Sequence, residues 1–156
     1  MRADQARAYV ETLLERLTGA DKVQTDADGD YPVVYEDLPY YVRVVGADDP
    51  VVQVFSIVLA DIEATPELLV ALNDLNAKLS FARAFHVRGQ VLIETDILAE
   101  SLDPAGFRNA CNCVGSLTTD FARDLNARFG GQVLFVRSEE TPAAPSKTEP
   151  SVGQYL

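Results

Sequence analysis

The sequence predicts an α+β fold, a sheet built from hairpins with helices packed on it, in the order α-β-β-β-α-β-β-α and a short final strand. Apolar residues recur at spacings of three and four over the segments read as helices and alternate over those read as strands. Twice a capping residue stands before a proline and an apolar run, at Thr65-Pro66 and Asp103-Pro104, which marks two helix starts. Two pairs of β-rich runs are separated by short turn sequences, which marks antiparallel neighbours.

The first helix runs from Asp4 to Leu17. Tyr9, Val10, Leu13, Leu14 and Leu17 form its apolar stripe, and Gly19 supplies the stop. Asp21 to Asp30 is a polar connection. Val33 to Glu36 reads as a short strand. Tyr40 to Val45 and Val51 to Ile62 are rich in β-branched and aromatic residues, and Gly46 to Pro50 between them is a hairpin loop. In the second helix Thr65 caps, Pro66 takes the first position and Glu67 meets the positive end of the dipole. Leu68, Leu72, Leu75 and Leu79 form its stripe. Phe81 to Val87 and Gln90 to Asp96 form a hairpin around Arg88-Gly89. The third helix starts at Asp103-Pro104 and carries Phe107, Cys111, Val114, Leu117 or Thr118, Phe121 and Leu125 inward, until Gly130-Gly131 ends it. Val133 to Val136 reads as a last strand. The domain therefore spans residues 1–137. Residues 138–156 have the Glu, Thr, Pro, Ala, Ser and Lys composition of a disordered polar tail.

Charge narrows the partners. The net charge is −11, with 24 acidic against 13 basic side chains, which repels phosphate and disfavours nucleic acid and anionic membranes. The amphipathic N-terminus lacks the apolar core of a signal peptide, and no apolar run approaches the ~18 residues of a membrane span. A cytoplasmic protein is expected. Cys111 and Cys113 lie two apart in a predicted helix, where a disulfide would be strained, so a reducing compartment fits.

The hairpins sort the side chains into two faces. Pairing Val45 with Val51 sets Arg43 opposite Gln53 and Tyr41 opposite Phe55, on a face shared with Ile57 and Leu59. Pairing Val87 with Gln90 sets Arg83 opposite Glu94 and Phe85 opposite Leu92. The other face carries Val42, Val44, Val52, Val54, Val58, Ala82, Ala84, Val91 and Ile93, small and uncharged, suited to helices. The first face mixes aromatic rings with paired charges. Tyr41, Arg43, Gln53, Phe55, Ile57, Arg83, Phe85, Leu92 and Glu94 are therefore the candidate partner-binding residues, on the ground that an apolar face left open marks an interface.

Catalytic and metal chemistry find no constellation. His86 is the single histidine, sits in a strand and has no neighbouring ligands for zinc. Cys111 and Cys113 lie mid-helix and point apart, so Cys111 reads as core. Asp26 to Asp30 does not meet the EF-hand frame, because its glutamate position would fall on Tyr35. Glu94 and Asp96 read as half of a cross-strand ion pair with Arg83. No nucleophile elbow or phosphate loop is present. The expectation is no enzyme, no cofactor and no metal.

The order of elements and several phrases resemble the YbjN-like domain of the type III secretion chaperone-like superfamily, in its actinobacterial peptide-binding branch. The phrases are Tyr40 to Val44, Val51 to Ser56, Pro66 to Leu69 leading into Leu72 to Leu79, Glu94 to Pro104, and Ala127 to Gly131. The resemblance covers residues 4 to 136. It implies a twisted antiparallel sheet of the secretion-chaperone type, a client protein or peptide as partner, a homodimer, and no catalytic residues. The function expected is a non-catalytic chaperone or adaptor that holds an extended or apolar client segment on its sheet face or edge. The alternative is a structural or regulatory homo-oligomer whose apolar face serves self-assembly only. The sequence finishes with Val152 to Leu156, mildly apolar after a polar linker, and such a segment could dock in the domain's own groove, or a neighbour's, as a pseudo-ligand.

Overall fold

Alternating β-branched residues and tight turns build a five-stranded antiparallel sheet, in which the strands lie in the order first, second, third, fifth, fourth, in a computed structural model that describes residues 1–135. The elements are α1 (Ala3–Thr18), β1 (Tyr31–Tyr35), β2 (Leu38–Val45), β3 (Val51–Leu59), α2 (Pro66–Asn76), β4 (Arg83–Val87), β5 (Gln90–Leu98), a 3-10 turn (Ala99–Ser101) and α3 (Pro104–Phe129). The fold is α+β, as the sequence predicts. The tail expected from residue 138 lies outside the described residues.

The caps work as read. The Thr65 side chain accepts from the Leu68 N–H at 3.2 Å, and Asp103 Oδ1 accepts from Ala105 and Gly106 at 2.9 and 3.0 Å. Gly19 takes the left-handed conformation that closes α1. Both predicted registers are present: Val45 opposite Val51 with Tyr41 opposite Phe55, and Val87 opposite Gln90 with Arg83 opposite Glu94.

All three helices pack against one face. Val10, Leu14, Phe107, Cys111 and Val114 meet Val42, Val52 and Val54 at one end, while Leu68, Leu72, Ala122 and Leu125 meet Ala84, Val91 and Ile93 at the other. The long helix α3 contributes to both clusters. Its buried line runs through Gly115, Thr118 and Ala122, with Leu117 and Phe121 only partly buried at its side.

Two strand expectations need correction. Leu59 does not share a face with Phe55 and Ile57. The pairing of β3 with β5 shifts between Ile57 and Leu59, and this bulge turns Val58 and Leu59 both toward the helices. The long strand also stops at Leu59, short of Ile62, and Asp61 turns away with φ 51°. The final strand is not formed over Val133–Phe135, and Val136 lies outside the described residues. A single bridge joins Gln132 to Ala60, just past the end of β3, and the ladder does not continue through Val133–Phe135.

Candidate functional site

The face of the sheet away from the helices is built from the residues that the sequence singles out. Tyr41 stacks on Phe55 at 5.5 Å between ring centres, and the Arg43 guanidinium lies 4.5 Å over the same ring. Arg83 lies 5.4 Å over Phe85 and ion-pairs with Glu94 and, at 3.1 Å, with Asp96. Gln53 donates to Asp96 at 3.1 Å. Phe55, Ile57, Ala60 and Leu92 form the apolar centre, with Tyr41, Phe85, Val87 and Leu134 against it. No helix residue belongs to this cluster.

The structure thus brings all nine candidates to one face, but it does not leave them equally open. Phe55 and Leu92 are each 1% exposed, and Arg43, Gln53, Ile57 and Glu94 are also buried. Tyr41 and Phe85 are half-buried and Arg83 is exposed.

The partner of Arg43 was not visible in the sequence. Asp30, at the end of the acidic loop, receives Arg43 Nε at 2.9 Å and Nη2 at 2.6 Å, a two-point ion pair with both side chains buried. Burial pushes the Asp30 carboxyl up from its ordinary range, against the pull of Arg43. Asp26 Oδ1 accepts from the Asp28 and Asp30 N–H groups, both at 2.9 Å, which folds the loop so that Asp30 reaches the face. Glu94 is likewise pushed up by burial, with Arg83 pulling it down.

The two edges of the sheet differ. On β4, Asn76 occupies both backbone groups of Ala84, so its amide stands where a neighbouring strand would. On β1, the described structure places β2 on one side and a groove of about 610 Å³ beside the strand, lined by Leu14, Leu17, Tyr31, Val33, Tyr35 and Tyr40 among others. The Tyr31 hydroxyl donates to Glu11 Oε1 at 2.7 Å, tying the strand to α1. Burial, then that bond, raises the Tyr31 phenol to about 12. Val34, pointing away from α1, is 54% exposed.

The remaining chemical candidates have structural places. His86 Nε2 lies 2.8 Å from the Ile62 carbonyl, holding the connection after β3 to the hairpin. Cys111 is buried, and burial raises its thiol to about 12, so it stays protonated and unreactive at neutral pH. Among the described residues, no group of three His, Cys, Asp or Glu is placed to hold a metal ion. Among them, no helix is long and apolar enough to cross a membrane.

Among the described residues, the helices form one layer, the other face of the sheet carries rings and charges with no helix on it, and β1 has no strand on its outer side. The family described as T3SS (YopN, CesT) and YbjN peptide-binding chaperone 1 matches residues 4–137, and the chain belongs to it. It is a peptide-binding chaperone and not an enzyme. Among solved structures it is similar to a chain in the ExsC–ExsE complex, with a TM-score of 0.59, 15% identity, and 74% of this chain and 92% of that one covered. It is also similar to a chain of the HopA1–SchA chaperone–effector complex, with a TM-score of 0.57, 12% identity, and coverage of 75% and 92%. A third is in the heterodimeric ExoU–SpcU complex from the type III secretion system of Pseudomonas aeruginosa, with a TM-score of 0.52, 11% identity, and coverage of 73% and 95%. At such identities the likeness is one of fold. A search of curated proteins finds no match.

Proposed function

We propose that the chain holds an extended, apolar segment of a client protein along the edge of β1 that no described strand pairs, with the sheet face beside it reading side chains. The observation that carries this is the contrast between the edges: β4 is closed by Asn76, whereas β1 borders a groove. A strand added to β1 would place alternate side chains in the groove near Leu14 and Val33. The others would lie beside Pro32, Val34 and Tyr41, since Pro32 is paired with Tyr41 across the strands. Tyr41, Arg83 and Phe85 continue that surface, and the buried Arg43, Gln53, Phe55, Ile57, Leu92 and Glu94 support it from beneath. The similarity to chaperones solved with bound effectors supports a protein client.

The working form we propose is a homodimer in the cytoplasm. Leu69 and Val70 on α2, and Phe81, are apolar, exposed and away from the β1 edge, which leaves a separate surface for a second copy.

Client peptides recovered from the native cytoplasm would be resynthesised with N-methyl groups on alternate residues, in either of two phases. One phase should weaken binding at least tenfold, because it removes the donors that face β1, and the other should not. Equal affinity in both phases would sink the edge reading. Tyr41→Ser and Phe85→Ser should change which peptides are preferred. A dimer that binds none of the peptides would instead favour an assembly protein.

A further inference from the structure

We propose that Pro32 fixes the direction of the client: the bound segment runs parallel to β1, with one donor residue beside Val33 and the next beside Tyr35. The inference rests on reading the β1 edge as the binding site and adds which way a client lies there. Two prolines and one aspartate set the phase of the strand. Pro32 stands opposite Tyr41, and Pro39 opposite Val34. A proline in a hydrogen-bonded pair would leave the opposite carbonyl without its donor, so these two pairs are the ones that exchange no backbone bonds. Asp30, two residues before Pro32, agrees. Its N–H donates to Asp26 Oδ1 at 2.9 Å and its carbonyl accepts from the Asp26 N–H at 2.8 Å, so its backbone is taken by the loop and not by β2. Tyr31, Val33 and Tyr35 therefore turn their backbone groups to β2, whereas Asp30, Pro32 and Val34 turn theirs outward.

The outward row is short. Asp26 fills both groups of Asp30, and Glu36, at φ 53°, turns out of the strand. Between them Pro32 offers a carbonyl, and Val34 offers a carbonyl and an N–H, with no strand beside them among the described residues. The ring of Pro32 fills the space where a further N–H would stand. An antiparallel client would set one residue opposite Val34 and another opposite Pro32, and the carbonyl of the second would be driven against the proline ring. A parallel client, whose bonds slant, uses the row as it is. Its residue beside Val33 donates to the Pro32 carbonyl and accepts from the Val34 N–H, and its residue beside Tyr35 donates to the Val34 carbonyl. The ring is met only two residues earlier, where the client must leave the edge. The same two donor residues point their side chains to the helix side of the sheet, where Val33 and Tyr35 line the groove. An antiparallel client separates these roles, because its donors would sit beside Pro32 and Val34 on the other face.

The test uses the full chain, its Pro32→Val variant, and a nine-residue peptide selected on the wild type from a random display library. A nitroxide on the N-terminus of the peptide should broaden the Gly29 amide more than the Asp37 amide, and one on the C-terminus should do the reverse. N-methylation and substitution by serine should each weaken binding most at the same two positions, two residues apart. Pro32→Val puts a strand-forming residue at an exposed position and restores the N–H. The reversed-sequence peptide should therefore bind the variant about tenfold more tightly than it binds the wild type. Broadening at the opposite ends would overturn the parallel direction and leave the edge as the client site. Equal binding of the reversed peptide to both proteins would overturn the role of Pro32. Broadening at neither end, or selection of no binder, would remove the edge reading and the direction with it.

Discussion

Asn76 and Ala84 are joined by two hydrogen bonds in opposite senses: Asn76 Nδ2 donates to the Ala84 carbonyl at 2.8 Å, and Asn76 Oδ1 accepts from the Ala84 N–H at 2.7 Å. One side-chain amide thus does for the outer edge of β4 what one residue of a sixth strand would do. Exposed strand edges template association, so this contact closes one end of the sheet. Asn76→Ala should cost about 1–3 kcal/mol in urea unfolding, because both Ala84 groups lose a partner. The variant should also scatter more light with rising concentration. Unchanged scattering would show that the edge is protected by something other than Asn76.

The buried pair of Arg43 and Asp30 should behave asymmetrically. Removing one member, by Asp30→Asn or Arg43→Met, leaves a charge with too little compensation and should cost about 3–5 kcal/mol. Changing both should cost clearly less than the sum. A double-mutant cycle in denaturant measures this, and additive losses would mean that the two side chains act independently.

Gly115 is set against Tyr35 so closely that a Cβ there would lie 2.6 Å from the ring's Cγ. Alanine is the better helix former by about 1 kcal/mol, yet the contact is with the root of the ring and not its mobile tip. Gly115→Ala should therefore destabilise, by about 1–3 kcal/mol. In a Tyr35→Ala background the same change should become neutral or stabilising. Thermal unfolding of the four proteins tests the reversal.

Glu94 gives a pH dependence with a definite sign. Burial raises its folded value above the ordinary carboxylate range, so the folded chain binds more proton than the unfolded chain there. That contribution to stability is complete below the ordinary range and is lost as pH rises through the raised value. The stability of the wild type relative to Glu94→Gln should thus fall as pH rises across this window. If it rises instead, the ion pair with Arg83 outweighs burial.

Much of the architecture was readable because it is written in local signals. Thr65-Pro66 and Asp103-Pro104 cap helices whatever the rest of the chain does, and the alternation around Gly46 and Gly89 admits few registers. The features that were missed depend on distance or on a single extra residue. The bulge after Ile57 adds one position to a strand of unbroken apolar character, so counting by twos put Leu59 on the wrong face. Asp30 reaches Arg43 from a loop whose acidic composition suggested only solvent. Asn76 stands in a helix sequence where nothing marks it as a cover for β4. The nine face residues were grouped correctly by register, but register carries no information about how deeply each is covered.

The strand order has a consequence for how the molecule comes together. β1 with β2, β2 with β3, and β4 with β5 are all neighbours along the chain, and β3 with β5 is the one strand pair that closes across an intervening helix. The sheet is therefore two local pieces, a three-strand meander and a two-strand hairpin, meeting at one seam. Local pieces assemble quickly, whereas a seam between distant segments carries most of the loop-closure cost. Because α3, which follows both pieces along the chain, packs on both sides of that seam, it would be the clasp that locks it.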